Sequence, residues 1–171
     1  MDSWSNTFIR VSGIVNDSIA DGPGLRLTVF TQGCPHKCEG CHNPQTHPLD
    51  GGKLVSIEEI LDIIDKNELL DGVTFSGGEP FLQAEALYVL AEQIKKRGLS
   101  LIIYTGYTWK ELTEDKSAMP FIEMADYIID GKFEESKKSL DLDFRGSANQ
   151  RIIDVKKSFL EGNIVTIKNF S

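Results

Sequence analysis

All the cysteines of this chain lie in one short segment, where they could hold a soft metal centre. Cys34, Cys38 and Cys41 are spaced C-x3-C-x2-C. The chain's histidines lie within or just after the same segment, at His36, His42 and His47. Thiolate ligands select zinc, Cu(I) or iron–sulfur centres over hard cations. An odd number of cysteines in a chain of 171 residues argues against a framework of disulfides.

Two kinds of metal centre fit this segment. A closed tetrahedral zinc site would combine the cysteines with one of the histidines. A [4Fe–4S] cluster normally takes four thiolates, so three would leave one iron without a protein ligand and open to a small molecule. An open metal position is typical of catalytic sites rather than structural ones. The segment by itself leaves both alternatives open.

The composition narrows the class of protein. With 171 residues, 40% of them hydrophobic, we expect a single domain spanning residues 1–171. The 18 basic and 26 acidic residues give a net charge of −8, which argues against nucleic-acid binding. No apolar run of 18 residues is present, so no membrane-spanning helix is expected. A metal held by reduced thiols favours a cytoplasmic location.

The pattern of apolar residues predicts strands and helices in alternation. Predicted strands are Phe8–Val15, Leu25–Thr31, Asp71–Ser76, Leu99–Thr105, Tyr127–Ile129 and Ile164–Lys168. One helix begins after Ser56, and a second carries Leu87, Leu90, Ala91 and Ile94 on one face. A weaker helical region spans Trp109–Met124 and is interrupted near Pro120. This alternation indicates an α/β protein with a parallel sheet.

The candidate chemistry falls at one edge of that sheet. Ligands of such sheets bind beyond the carboxyl ends of the strands. The cysteines follow the first strand of the alternating part, Gly77, Gly78 and Glu79 follow the second, Thr105 ends the third, and Asp130 follows the fourth. This convergence argues against an isolated zinc knuckle and favours a site shared by several loops.

The segment Gly131–Gln150 shows little periodicity. A loop of this length in a compact domain is usually functional or disordered. Its end is rich in hydrogen-bond donors and includes Arg145, Asn149 and Gln150. A solvated surface loop and a binding loop both remain open from the residues alone.

Taken together and in order, these motifs resemble the radical S-adenosylmethionine (SAM) superfamily. More narrowly, they are similar to the family of activating proteins for anaerobic (class III) ribonucleoside-triphosphate reductases. The matching stretches are Asp21–Arg26, Cys34–Asn43, Ser76–Pro80, Tyr104–Tyr107, Asp130–Phe133 and Arg145–Gln150. Many superfamily members have an aromatic residue before the third cysteine, whereas this chain has Gly40, which is usual in the reductase activators.

The resemblance implies a partial, open β/α barrel with a mostly parallel sheet. It implies a [4Fe–4S] cluster held by Cys34, Cys38 and Cys41, with SAM on the fourth iron and no catalytic residue beyond cluster and SAM. The implied SAM contacts are Gly40, Cys41 and His42 beside the adenine, Gly77, Gly78 and Glu79 beside the methionine moiety, and Thr105, Asp130 and Lys132 beside the ribose or carboxylate. Gly77 and Gly78 would let the backbone approach the ligand.

The resemblance also implies an activity and its partners. The activity is the transfer of a glycine hydrogen to a 5′-deoxyadenosyl radical, which leaves a glycyl radical on the anaerobic reductase. A low-potential donor such as flavodoxin or ferredoxin would supply the electron. Arg145, Asn149 and Gln150 are the candidate partner contacts. Two alternatives remain: an activator of another glycyl radical enzyme such as pyruvate formate-lyase, and a non-enzymatic zinc-binding adaptor.

Overall fold

Four neighbouring parallel strands form the centre of the sheet from which the cysteine loop emerges. The structure is a computed structural model that describes Trp4 and residues 6–170. The remaining positions of the predicted domain, residues 1–3, 5 and 171, lie outside the described residues. Within the described residues, no helix is long and apolar enough to cross a membrane.

The elements alternate along the chain as the sequence predicts. The strands are β1 Phe8–Ser18, β2 Arg26–Thr31, β3 Lys53–Ser56, β4 Gly72–Gly77, β5 Ser100–Tyr104, β6 Tyr127–Asp130, β7 Arg151–Asp154 and β8 Thr166–Ile167. The α-helices are α1 Ile57–Lys66, α2 Ala84–Lys96, α3 Trp109–Glu114, α4 Met119–Met124 and α5 Val155–Glu161. Short 3₁₀ turns cover Pro44–Thr46, Pro80–Gln83, Lys116–Ala118 and Glu135–Lys137.

The strands form one open sheet in the order β3-β1-β2-β4-β5-β6-β7-β8. β2, β4, β5 and β6 pair in parallel. β1 runs antiparallel to its neighbours β2 and β3, and β7 runs antiparallel to β6 and β8. Six of the eight strands therefore point the same way, and the sheet ends at β3 and β8 without closing. The expectation of an open, mostly parallel α/β sheet is confirmed.

The helices pack on one face of the sheet. The predicted apolar face of α1 (Ile57, Ile60, Leu61 and Ile64) is buried, as is that of α2. Burying one such side chain contributes roughly 1.5–3 kcal/mol. Ser56 caps α1 by accepting a hydrogen bond from the Glu59 backbone N–H. This layer leaves the carboxyl ends of the parallel strands free to carry loops.

Three elements were not predicted from the sequence: β3, β7 and α5. Each is short, and β7 has only Ile152 and Ile153 as buried apolar residues, too few for a period of two to be visible. The predicted strand at 164–168 is reduced to Thr166–Ile167. The helical region breaks at Asp115 rather than Pro120, because proline is tolerated in the first turn of α4.

Candidate functional site

Backbone hydrogen bonds fix the cysteine loop at the carboxyl end of β2. The Gly33 N–H donates to Thr46 O at 2.7 Å, and the Cys34 N–H donates to His47 O at 3.2 Å. The buried side chain of Gln32 donates to Pro48 O at 2.7 Å. Both ends of the loop are therefore held by hydrogen bonds within the protein, without the help of a metal.

The thiols share one cavity with the loops that follow β4, β5 and β6. All three cysteines are half-buried and free of disulfides. The cavity measures about 120 Å³. It is lined by Cys34, His36, Cys38, Cys41, Ser76, Gly77, Gly78, Tyr104, Thr105, Gly106, Gly131, Lys132, Phe133 and Gln150. The convergence expected at the carboxyl ends of the strands is therefore present.

The surroundings of Cys34 and Cys38 disfavour the ionised form of these two thiols. Burial raises the pKa of Cys34, the Glu79 carboxylate adds to this, and a hydrogen bond from the His36 backbone opposes it. Burial likewise raises the pKa of Cys38, against a backbone hydrogen bond from Phe133 and the charge of Lys132. Three thiolates held together need positive charge between them, which iron or zinc supplies. The donor set fits a metal centre.

The positions of the thiols and of His36 bear on the choice between a zinc site and an iron–sulfur cluster. Over the part of the chain that the structure describes, no three His, Cys, Asp or Glu side chains converge as ligands of one ion. In an iron–sulfur cluster each thiolate binds a different iron, so the sulfurs need not converge on one point. The His36 imidazole, one candidate fourth zinc ligand, is engaged with Glu79 through Nε2. The arrangement is compatible with such a cluster.

The two glycines at the end of β4, Gly77 within the strand and Gly78 just after it, are required by the neighbouring backbone. Gly77 has φ of 92°, in the region that favours glycine. A β-carbon on Gly78 would overlap the carbonyl oxygen of Gly33 and lie 2.9 Å from its carbonyl carbon. The Glu79 N–H donates to that same Gly33 carbonyl at 2.8 Å. Close packing of the β4 loop on the cysteine loop is therefore sufficient to require glycine at position 78, even without a ligand.

Glu79 is buried behind the cavity rather than facing it. Its side chain is fully buried. His36, Thr105, and the backbone N–H groups of Gly106 and Phe81 contact its carboxylate at 2.6–3.0 Å. Both oxygens are occupied by donors within the chain.

Asp130 and Lys132 face different surroundings. The Asp130 carboxylate is 1% exposed, pairs with Arg151 at 2.6 Å and accepts the Trp109 N–H at 2.8 Å. Lys132 is exposed and lines the cysteine cavity. Asp130 thus serves an internal ion pair, whereas Lys132 remains available to a ligand.

A larger cavity of about 380 Å³ opens beside the cysteines. It shares Cys41, Ser76, Tyr104, Phe133 and Gln150 with the smaller one. Its other lining residues are Ala20, Asp21, His42, Asn43, Phe144, Arg145 and Gly146. His42 packs on Phe133, with ring centroids 5.1 Å apart. Gly40 lies outside both cavities, against the Glu135 carboxyl group.

The candidate partner residues are largely engaged within their own loop. Gln150 accepts the Gly146 N–H at 2.8 Å and donates to Gly131 O at 3.0 Å. Asn149 donates to Lys132 O at 2.8 Å. Arg145 makes longer bonds, to Gln150 O at 3.4 Å and Lys168 O at 3.3 Å. Of the three, Arg145 is the least firmly held.

The structure brings most of the predicted site residues together but not all. One cavity joins Cys34, Cys38, Cys41, Gly77, Gly78, Thr105, Lys132 and Gln150. Gly40, Glu79, Asp130 and Asn149 do not line it, and His42 and Arg145 line only the larger cavity. Sequence reasoning missed Tyr104 and Phe133, which line both. Both lie in stretches that carry the family resemblance, Tyr104–Tyr107 and Asp130–Phe133, and this was the available signal.

Comparison with known proteins agrees with this geometry. The profile of the 4Fe-4S single cluster domain family matches residues 20–153. The chain also resembles the solved structure of QueE from Escherichia coli, with a TM-score of 0.51 over 72% of this chain and 71% of that one. At 19% identity, this likeness concerns the fold alone.

Relatives with closer sequences are anaerobic ribonucleoside-triphosphate reductase-activating proteins. That of Vibrio cholerae is 36% identical over 78% of this chain and 90% of its own. Those of Escherichia coli K12 and bacteriophage T4 are 32% and 33% identical, each over 77% of this chain and over 90% and 85% of their own lengths. With its cysteine cavity, its open sheet and these relatives, the chain belongs to the family of anaerobic ribonucleoside-triphosphate reductase-activating proteins.

Proposed function

We propose that this chain is a radical SAM enzyme that installs a glycyl radical on anaerobic ribonucleoside-triphosphate reductase. The observation that carries the proposal is the cavity in which three thiols face the β4 loop at the carboxyl ends of parallel strands. The names of the relatives support the choice of partner. The cytoplasm, where thiols stay reduced, is the expected location.

In this proposal Cys34, Cys38 and Cys41 each bind one iron of a [4Fe–4S] cluster, and SAM occupies the fourth. When bound, these groups would supply the one-electron cleavage of SAM and the removal of a hydrogen atom from the partner's glycine, giving methionine, 5′-deoxyadenosine and a glycyl radical. A low-potential flavodoxin or ferredoxin is the proposed electron donor. Cluster potentials extend down to about −700 mV, so a reduced cluster can act as a low-potential electron donor.

The chain's own residues hold and shield these groups. Gly77 and Gly78 present backbone to the cysteine cavity, and Thr105 and Lys132 line it as candidate SAM contacts. His42 lies beside Cys41 on the side of the larger cavity, where we assign the adenine. Glu79 and Asp130 are assigned to shaping the site, because their carboxylates are already bound internally.

We assign the remainder of the larger cavity, away from Cys41 and His42, to the glycine-bearing segment of the partner. It adjoins the cysteine cavity through shared residues, so a glycine lying in it would be next to the bound SAM. Arg145 borders this cavity as a candidate contact for the partner's backbone or a carboxylate.

The test is anaerobic reconstitution followed by activity on two partners. We expect about four irons per chain and SAM-dependent radical formation on the reductase, detected by electron paramagnetic resonance. Cys34→Ala, Cys38→Ala and Cys41→Ala should each abolish 5′-deoxyadenosine formation, and His47→Gln is the control. A colourless protein that binds zinc and needs a histidine would contradict the proposal. Radical formation on pyruvate formate-lyase but not on the reductase would show that the partner is a different glycyl radical enzyme.

A further inference from the structure

His36 and Glu79 form a buried pair between the cysteine loop and the loop after β4. His36 Nε2 lies 2.6 Å from Glu79 Oε1, and the two side chains are 5% and 0% exposed. Burying polar and charged groups is costly unless hydrogen bonds compensate. His36 lies midway between Cys34 and Cys38, yet it supplies no cluster ligand in the proposed function. The pair needs another explanation.

The surroundings of Glu79 define what His36 contributes. Thr105 Oγ1 lies 2.9 Å from both carboxylate oxygens, and the Gly106 N–H donates to Oε1 at 2.7 Å. The Phe81 N–H donates to Oε2 at 3.0 Å. A carboxylate surrounded by donors acts as an acceptor throughout. His36 Nε2 therefore carries a hydrogen and donates it to Glu79.

The imidazole also packs against the loop after β5. Its ring meets the Tyr107 ring edge-on, with centroids 4.6 Å apart. A β-carbon on Gly106 would lie 2.6 Å from His36 Nε2, so the ring occupies space left by that glycine. His36 thus touches the β4 loop through Glu79 and the β5 loop through Gly106 and Tyr107.

Fixing this ring fixes the first half of the cysteine loop. His36 follows Cys34 by two residues and precedes Cys38 by two, so a fixed His36 restrains the backbone on both sides. The other half is held separately, by the Asn43 N–H to the Cys41 sulfur at 3.4 Å and by Thr46 Oγ1 to Asn43 O at 2.6 Å. Each half of the loop therefore has its own anchor.

We propose that His36 is a positioning residue for the cluster. Its Nε2–H···Glu79 bond holds the Cys34–Cys38 half of the loop against the β4 and β5 loops, so that both sulfurs keep their places while the cluster is bound and reduced. This inference rests on the proposed function, since it needs a cluster to position. His36 acts through Cys34 and Cys38 and is not itself a ligand.

The test compares two substitutions in the reconstituted protein. His36→Leu keeps apolar bulk but removes the donor, whereas His36→Gln restores an N–H near the place of Nε2. His47→Gln, in the same loop, is the matched control. Measurements are the rate of iron loss to a bathophenanthroline chelator, the midpoint potential of the cluster and the urea midpoint of unfolding.

We expect His36→Leu to lose iron about 10–100-fold faster than wild type, the range seen when groups supporting metal ligands are removed. Its potential should shift, because a looser Cys34–Cys38 half changes the hydrogen bonds to the sulfurs and the solvent exposure of the cluster. His36→Gln should recover most of both properties, and His47→Gln should match wild type.

Two results would overturn the inference. One is wild-type iron loss and potential in His36→Leu. The other is a loss of the fold that parallels the loss of iron, seen as a matching drop in the urea midpoint, because His36 would then support the domain rather than the cluster. A wild-type protein that assembles no [4Fe–4S] cluster would instead refute the proposed function, so the two failures are distinguishable.

Discussion

Gly78 lies so close to the backbone of Gly33 that no side chain would fit on Gly78. A β-carbon there would overlap the Gly33 carbonyl oxygen and lie 3.1 Å from the Gly33 nitrogen. The two strands beneath are paired in parallel, and the Gly78 N–H donates to Thr31 O at 2.8 Å. The β4 loop and the cysteine loop are thus locked together at their base.

Gly78→Ala should therefore disturb the cluster as well as SAM binding. Forcing a methyl group into this contact costs about 1–3 kcal/mol and pushes Cys34 away from the β4 loop. The measurements are iron content after reconstitution, SAM affinity by equilibrium dialysis, and urea unfolding. Gly13→Ala is the control, since nothing lies within 4 Å of a β-carbon there. Loss of SAM affinity with full iron retention would show that the ligand, not Gly33, needs the glycine.

Asp130 is expected to act through stability rather than through SAM. Its buried carboxylate pairs with Arg151 and accepts the Trp109 N–H. Arg151→Ala leaves that charge without its ion pair, but the Arg151 side chain is 40% exposed, so the cost should stay below the roughly 3–5 kcal/mol of a fully buried pair. Asp130→Asn should cost about 1–3 kcal/mol. Urea unfolding measures both. A fall in SAM affinity in Asp130→Asn but not in Arg151→Ala would show that Asp130 contacts the ligand.

Arg145→Ala is expected to separate SAM cleavage from activation of the partner. The side chain borders the larger cavity and is held by two long hydrogen bonds, and among the described residues its Nε has no partner. The variant should keep its fold, its cluster and dithionite-driven SAM cleavage, yet form far less glycyl radical on the reductase. Gln150→Ala is a useful comparison, because that residue ties the loop together and should lower stability. If Arg145→Ala also loses its cluster, the guanidinium is an internal anchor.

Arg26 is expected to be indispensable to the fold. Its fully buried guanidinium donates to Thr74, Ser100 and three backbone carbonyl groups: those of Pro23, Val73 and Ser100. Burial lowers the pKa of Arg26 to about 10, so it remains charged at neutral pH. Arg26→Lys cannot reproduce the planar fork and should cost about 2 kcal/mol or more by urea unfolding.

Arg97→Lys provides the matched comparison for Arg26. Arg97 makes an exposed pair with Asp65 at 2.7 Å. Exposed ion pairs contribute about 0–1 kcal/mol, so this conservative change should be nearly neutral. Equal effects of the two substitutions would contradict the special role of the buried guanidinium.

The sequence alone determined the class of the fold and the chemistry of its loop. Cys34, Cys38 and Cys41 are close in the chain, so their spacing could be read directly. The apolar faces of α1 and α2 follow helical periodicity and are buried as predicted. Such features are local, and each can be recognised within a short window of residues. An element of four residues, such as β7, is too short to show periodicity and depends on a neighbouring strand for its hydrogen bonds.

Only the tertiary structure decided which polar side chains face the site. Glu79 and Asp130 follow parallel strands, as candidate ligand contacts should, but one binds His36 and the other Arg151. These partners lie 43 and 21 residues away in the chain. A carboxylate satisfies its charge with whichever donors folding brings near, and no periodicity or spacing encodes that choice. The sequence thus identified the loops of the site, and packing between loops decided the task of each side chain.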